Sequence, residues 1–303
     1  MELRNLLANY EEHVSTLSSG DFGTETWDLI ASSAYEAALS VYDNIKQNWG
    51  WQHEGTVPGE LCVRVLKRHT RAFVRDGVAS EPIKELTDHL AETEDTITTD
   101  IPTVRRMVRA FAQLAVLYLD ADDPRLANAA GLIASVSWRT RELDLVENLI
   151  DILAKREKQA TTDLGRKMLA FRRENTLGGV SQMKGDFDAA LHHHSEALRN
   201  AYDDRARLTA YLNISEDAIV IGAMGQANEA FAAAYELDPE VLEQRMNAVD
   251  YARDINSSQD DLSGLSAVSL KLLISCLRRG LPNAEDAEQR LSIQQALDQL
   301  SSL

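Results

Sequence analysis

Glycine and proline are scarce in this 303-residue chain, with 15 and 6 copies. Tight β-hairpins depend on both, so their scarcity argues against a many-turned all-β fold. Cysteine occurs twice, at Cys62 and Cys276, too few for a disulfide framework or a four-cysteine metal site. Each lies in an apolar helical stretch, the setting of an inert buried thiol in a reducing cytoplasm. No apolar run approaches the roughly 18 residues of a membrane span. Met1-Glu2-Leu3-Arg4-Asn5 leads into no continuous apolar stretch, so a secretory start is not expected. The expectation is a cytoplasmic chain without a membrane role. Catalytic patterns are missing too: there is no Gly-rich phosphate loop, G-x-S-x-G elbow, H-E-x-x-H or dinucleotide fingerprint. Glu11-Glu12-His13 lacks the Glu-x-x-His spacing of a diiron bundle. No enzyme activity, cofactor or metal is expected.

What the chain does carry is acid. It has 48 acidic against 31 basic residues, a formal charge of −17 and 8 lysines against 23 arginines. Such a surface repels phosphate backbones at long range, which makes nucleic acid an unfavoured partner unless a local basic patch intervenes. The lysine-poor, aspartate-rich balance resembles that of salt-adapted or GC-rich microbial proteins.

Apolar residues recur at i, i+3/4 and i+7 almost throughout, and no segment alternates as a half-buried strand does. The second helix opens near Thr24 and carries Trp27, Ile30, Ala34, Ala37, Ala38, Val41 and Ile45 on one face. The third is expected from about Pro58 to Asp76, with Gly77 after it, and Ser80 is a candidate N-cap for the fourth. Further helices are expected over 101–120, 123–139, 142–158, 162–184, 186–200, 204–222, 226–237, 239–255, 265–279 and 284–300. About fourteen helices on short loops predict an all-α fold of stacked antiparallel pairs. The expected domains are an N-terminal helical bundle over 1–100, helix pairs over 101–255 and C-terminal capping helices over 262–303, with the polar stretch 256–261 as linker.

One stretch is richer than the rest. Leu177-Gly178, Gly185-Asp186-Phe187-Asp188-Ala189-Ala190-Leu191 and Ala197-Leu198 together resemble the tetratricopeptide repeat, a helix pair of about 34 residues. Gly178 and Ala190 let two helices approach, Gly185 ends the first helix and Phe187 fills the turn. A weaker copy is placed 40 residues on, at Gly225-Gln226-Ala227-Asn228-Glu229-Ala230-Phe231. Degenerate turns are placed at Arg141–Leu145 and Gly280–Ala284. The resemblance implies an α-solenoid of degenerate tetratricopeptide-like pairs, and a non-catalytic adaptor, scaffold or sensor that binds protein or peptide on a concave face. A bundle ahead of such repeats is also similar to bacterial peptide-pheromone receptors, although no helix-turn-helix is recognisable at the start. Carried over by register, the binding face holds Arg172, Asn175, Gly179 and Gln182 in one unit and Leu212, Ser215 and Ile219 in the next. Gly179 and Glu216 stand where a carboxylate clamp uses asparagine, so that specialised clamp is not expected. The sequence leaves self-association as a homo-oligomer open.

Other residues invite a chemical reading. Arg64, Lys67, Arg68, Arg71 and Arg75 form a basic stripe on the third helix. They would serve either as an anion site or as one side of an ion-pair ladder with Glu81, Glu85, Asp88, Glu92 and Asp95; the matched spacing favours the ladder. His192-His193-His194 point about 100° apart on a helix, so they cannot converge on one metal; the repeat resemblance implies that His194 faces the neighbouring helix while His192 and His193 lean toward solvent. Trp49, Trp51 and His53 form an aromatic loop that either caps the bundle or binds a partner. The Asp-Asp pairs at 122–123, 203–204 and 260–261 fall where aspartate caps helices.

Overall fold

A computed structural model describes residues 3–17, 20–49, 55–93, 97–258, 262–284 and 286–303. Among these it contains fifteen α-helices and one two-stranded ladder, in two compact units, Met1–Leu169 and Ala170–Leu303. No helix among the described residues is long and apolar enough to cross a membrane. Of the aromatic loop, Trp51 and His53 lie outside the described residues.

The N-terminal unit holds α1 (Leu3–Thr16), α2 (Thr24–Asn48), α3 (Glu60–Arg75), α4 (Glu81–Glu92), α5 (Ile101–Tyr118), α6 (Pro124–Thr140) and α7 (Leu143–Gln159). Its centre is the packing of α2 on α5. The alanines Ala31, Ala34 and Ala38 of α2 are fully buried, as are Val104, Val108, Phe111 and Ala115 of α5. Small residues on one face let the partner backbone come close, and the larger ones opposite fill the space. Because α5 shares a core with α2, the expected boundary near residue 100 falls inside this unit. The chain instead divides within α8 (Asp163–Lys184). Strands β1 (Thr56–Pro58) and β2 (Thr98–Asp100) pair antiparallel just ahead of α3 and α5. Pro58 therefore ends a strand, and α3 opens at Glu60.

Asp122 fastens two turns of this unit together. The backbone N–H and hydroxyl of Thr161 donate to its Oδ2 at 3.0 and 2.5 Å, and those of Thr162 to its Oδ1 at 3.0 and 2.7 Å. These bonds hold its carboxyl well below the usual range. Asp123 caps α6 through Arg125 N, whereas Ser80 makes no cap bond with its side chain and turns its hydroxyl to His13 instead.

The C-terminal unit takes in the rest of α8 with α9 (Phe187–Arg199), α10 (Asp204–Val220), α11 (Met224–Leu237), α12 (Pro239–Arg245), α13 (Ala248–Ser257), α14 (Ala267–Gly280) and α15 (Ala287–Ser301). The single helix expected over 239–255 is two, because Asn247 leaves the helix and caps α13 by accepting from Val249 N. Gly185 and Gly222 both have positive φ, 77° and 76°. Each closes its helix the same way: Asp186 N bonds Ser181 O at 2.9 Å, and Ala223 N bonds Ala218 O at 2.8 Å. Both are left-handed C-terminal turns that glycine adopts without steric cost. The second turn is thus Gly222, 37 residues after Gly185, and the expected alignment on Gly225 is corrected, since Gly225 belongs to the first turn of α11. At this offset of 37, Ala190 matches Ala227, Ala197 matches Ala234 and Gly178 matches Ser215, all buried. Phe187, expected to fill the turn, matches Met224 and is only half-buried.

Side-chain bonds between helices repeat the interval. Gln182–Asp217 spans 35 residues, Asn175–Asn213 38, Ser215–Tyr251 36 and Asn256–Ser292 36. At Gly178 an added Cβ would lie 2.3 Å from His194 Nε2, and His194 is buried against Asp217, so its ring has little room to give. Gly178→Ala is expected to lower the stability of the C-terminal unit by about 1–3 kcal/mol in chemical denaturation, an overpacking cost.

Candidate binding face of the C-terminal unit

Leu212, Ser215 and Ile219 are 7%, 0% and 0% exposed. Leu212 and Ile219 belong to the main core of this unit, with Phe231, Tyr251 and Leu273. Ser215 donates to Leu212 O at 2.7 Å, and its oxygen lies 2.8 Å from Tyr251 Oη. The expectation that these three offer surface to a ligand is corrected. They were aligned at an offset of 40; at 37 the counterpart of Arg172 is Thr209. Three residues turn a helix by about 300°, enough to carry the reading from the open face into the core.

Arg172, Asn175 and Gln182 are each half-buried on α8. Asn213 Nδ2 donates to Asn175 Oδ1 at 2.9 Å, and Gln182 Nε2 donates to Asp217 Oδ1 at 2.7 Å. Arg172 is different. Its Nε is buried without a hydrogen-bond partner, and its guanidinium has no ion pair among the described residues, resting 5.7 Å from the Phe171 ring centroid. Arg245 lies across the start of α10, donating to Thr209 Oγ1 at 2.9 Å and to Arg205 O at 3.4 Å. Burial draws the pKa of both Arg172 and Arg245 down; Arg205 adds to this on both and Arg172 on Arg245, while Tyr202 and Asp203 oppose it on Arg172. Three cations therefore meet at one end of α10, with Asp203 the anion beside them, although the chain is strongly acidic. Thr209, Arg205 and Arg245 were not singled out from the sequence; the spacing from Arg172 to Thr209 to Arg245, 37 and then 36 residues, was the signal available.

Eleven residues beyond Arg205, roughly 16 Å along α10 at 1.5 Å per residue, the charge reverses. Glu216, Asp250 and Asp254 surround Arg253, which donates from Nε to Asp254 Oδ1 at 3.0 Å and sits 3.4 Å from Asp250. Asp254 is 2% exposed and its Oδ2 has no hydrogen-bond partner among the described residues. Burial pushes its carboxyl up to about 7 against the pull of Arg253. Glu216 is raised as well, by burial first and then by Asp254, Asp250 and Asp217.

The histidines separate as the 100° rule requires. His194 is buried with Nδ1 2.6 Å from Asp217 Oδ2, His193 Nδ1 lies 2.9 Å from Glu174 Oε2, and His192 is exposed. In the N-terminal unit the buried His69 stands between Tyr10 Oη at 2.6 Å and Ser33 Oγ at 2.7 Å. This serine–histidine contact is not poised for nucleophilic catalysis: burial lowers the His69 pKa to about 3, far from the value useful to a general base near neutrality.

On α3, Arg64, Arg68, Arg71 and Arg75 are all exposed. Arg64 pairs with Glu60 at 3.7 Å and Arg75 with Asp76 at 2.7 Å; Arg68 and Arg71 have no ion pair among the described residues. Glu81 pairs within its own helix, with Lys84. Lys67 donates from Nζ to Thr93 O, just past α4, at 2.8 Å; no ion pair joins the arginines of α3 to the carboxylates of α4 among the described residues, so the ladder of arginines is corrected, and Asp95 lies outside those residues. Cys62, Leu66, Thr70 and Phe73 turn inward, which points the arginines about 140–180° away.

No family model matches the chain, and no curated protein matches it in sequence.

Proposed function

We propose that this chain is a non-catalytic helical-repeat binding protein, tetratricopeptide-like in its C-terminal unit, that receives an acidic segment of a protein partner. The observation that carries this reading is the half-buried Arg172 guanidinium, without hydrogen bond or ion pair among the described residues and beside Arg205 and Arg245. A cation so placed is costly when alone and favourable when a carboxylate meets it. The 37-residue correspondence of Gly185 with Gly222 and of Ala190 with Ala227 supports the repeat reading. Asn175 and Asn213 continue the face with amide groups suited to an extended main chain. The adaptor or scaffold role and a cytoplasmic setting belong to the same proposal.

Phage-displayed random peptides selected on the protein should be enriched in Asp and Glu. A selected peptide, labelled with fluorescein, should lose affinity about 10- to 100-fold with Arg172→Glu, the worth of a charge-assisted contact, while circular dichroism is unchanged. Selection without acidic enrichment, or equal binding by folded Arg172→Glu and Arg245→Glu, would refute the proposal.

A second reading rests on Arg68 and Arg71, exposed and without ion pairs among the described residues. It assigns the α3 face to a polyanion, and heparin binding that weakens steeply with salt and is lost in Arg68→Glu/Arg71→Glu would favour it.

A further inference from the structure

Within the N-terminal unit, α1, α5, α6 and α7 line a cavity of about 470 Å³, partly open to solvent. Val14 of α1, Ala110, Leu114 and Leu117 of α5, and Leu145 and Leu149 of α7 make its apolar wall. Leu117 and Leu145 are each 40% exposed although both face this one space. Apolar area of that kind is stabilised by any ligand that removes it from water.

Two arginines stand at the apolar wall, each with a carboxylate of its own. Its lining includes two cations, Arg106 and Arg109, and one anion, Glu11. Arg106 Nε donates to Glu11 Oε1 at 3.1 Å, and Arg109 reaches out to Glu142, which is not part of the lining. Burial lowers the Arg109 pKa; Glu11 opposes this, and the neighbouring Arg105 and Arg106 add to it. Both arginines are thus ion-paired, and a ligand's carboxylate would share them: a guanidinium carries five N–H donors, more than one carboxylate accepts.

The volume decides what kind of ligand fits. A helix with its side chains is about 10–12 Å across and rises 5.4 Å per turn, so about 470 Å³ holds little more than one turn. It lies well within the roughly 300–1,000 Å³ of small-molecule pockets. We propose that the cavity binds a small amphipathic carboxylate, a medium-length acyl chain lying along the leucines with its head group at Arg106 and Arg109.

Calorimetric titration with dodecanoate, kept below its micellar concentration, tests this. Dodecanoate should saturate at one molecule per chain and bind at least 10-fold more tightly than dodecyltrimethylammonium, which has the same chain and the opposite charge. Ala110→Trp, which fills the cavity, should weaken dodecanoate at least 10-fold, and Arg106→Gln should shrink the preference for the anion. Should Ala110→Trp fail to fold, Leu117→Gln/Leu145→Gln changes only exposed positions and is expected to weaken binding in the same direction. Equal binding of the two amphiphiles, uptake without a one-to-one limit, or undiminished binding by a folded cavity variant would overturn the proposal. A partner helix in this groove would leave dodecanoate without a saturable site, and that result counts against it equally.

Discussion

Ala190→Asp is expected to cost the C-terminal unit about 3–5 kcal/mol, the penalty for a buried charge without a partner. Ala190 is fully buried on α9, in the helix pair that Gly178 and His194 bring into close approach. A carboxylate there loses its hydration, and the nearby polar groups are already engaged: His194 with Asp217, and Gln182 with the same carboxylate. Whole domains have only about 5–15 kcal/mol to lose, so the loss is a large share of the unit's stability and its denaturation midpoint should fall markedly. Ala190→Ser provides the control, with a much smaller loss because a hydroxyl can bond back to its own helix. Urea denaturation followed by far-ultraviolet circular dichroism measures both. A midpoint for Ala190→Asp within error of the parent would remove the helix-pair assignment.

Asp254→Asn should do the reverse and stabilise the protein, in a pH-dependent way. The Asp254 carboxyl is raised to about 7 in the folded chain, chiefly by burial, against about 3.9 in an unfolded one. Between those values the folded state holds a proton that the unfolded state has released, so stability falls as pH rises through this window and then levels off. The lost stability is on the order of 2–4 kcal/mol by linkage. Asparagine keeps an oxygen for the Arg253 Nε bond and places a neutral amide where Oδ2 has no partner. Parent and variant should therefore unfold alike near pH 4, with the variant the more stable by pH 8. Glu216, also raised, will leave part of the slope in the variant. A constant difference from pH 4 to pH 8 would show that Asp254 does not titrate in this range.

Local periodicity made most of the helices legible, and the register of the resembled repeat was enough to send His194 inward and His192 out. Matched spacing also favoured a ladder between α3 and α4, of which the described residues show no ion pair. Matched spacing says that two stripes are each continuous; it does not say that they face one another. The apolar stripe of Leu66 and Phe73 claims the inner side of α3, and the arginines are left on the other. The error at Leu212, Ser215 and Ile219 has a similar origin. Gly222 and Gly225 stand on either side of the start of α11, and composition does not tell them apart. Only the bond from Ala223 N to Ala218 O identifies Gly222 as the left-handed turn.

The sequence by itself determined that the protein is helical, where most helices run and which side of each is apolar, because these depend on neighbours within one or two turns. It also placed Arg172 on the helix that carries the candidate face. The meeting of Arg172 with Arg205 and Arg245, the unpartnered oxygen of Asp254 and the cavity behind Leu117 and Leu145 were decided by tertiary structure alone. Each joins residues about 30 or more positions apart, and which helices become neighbours is settled by burial over the whole core, not by any segment's own preference.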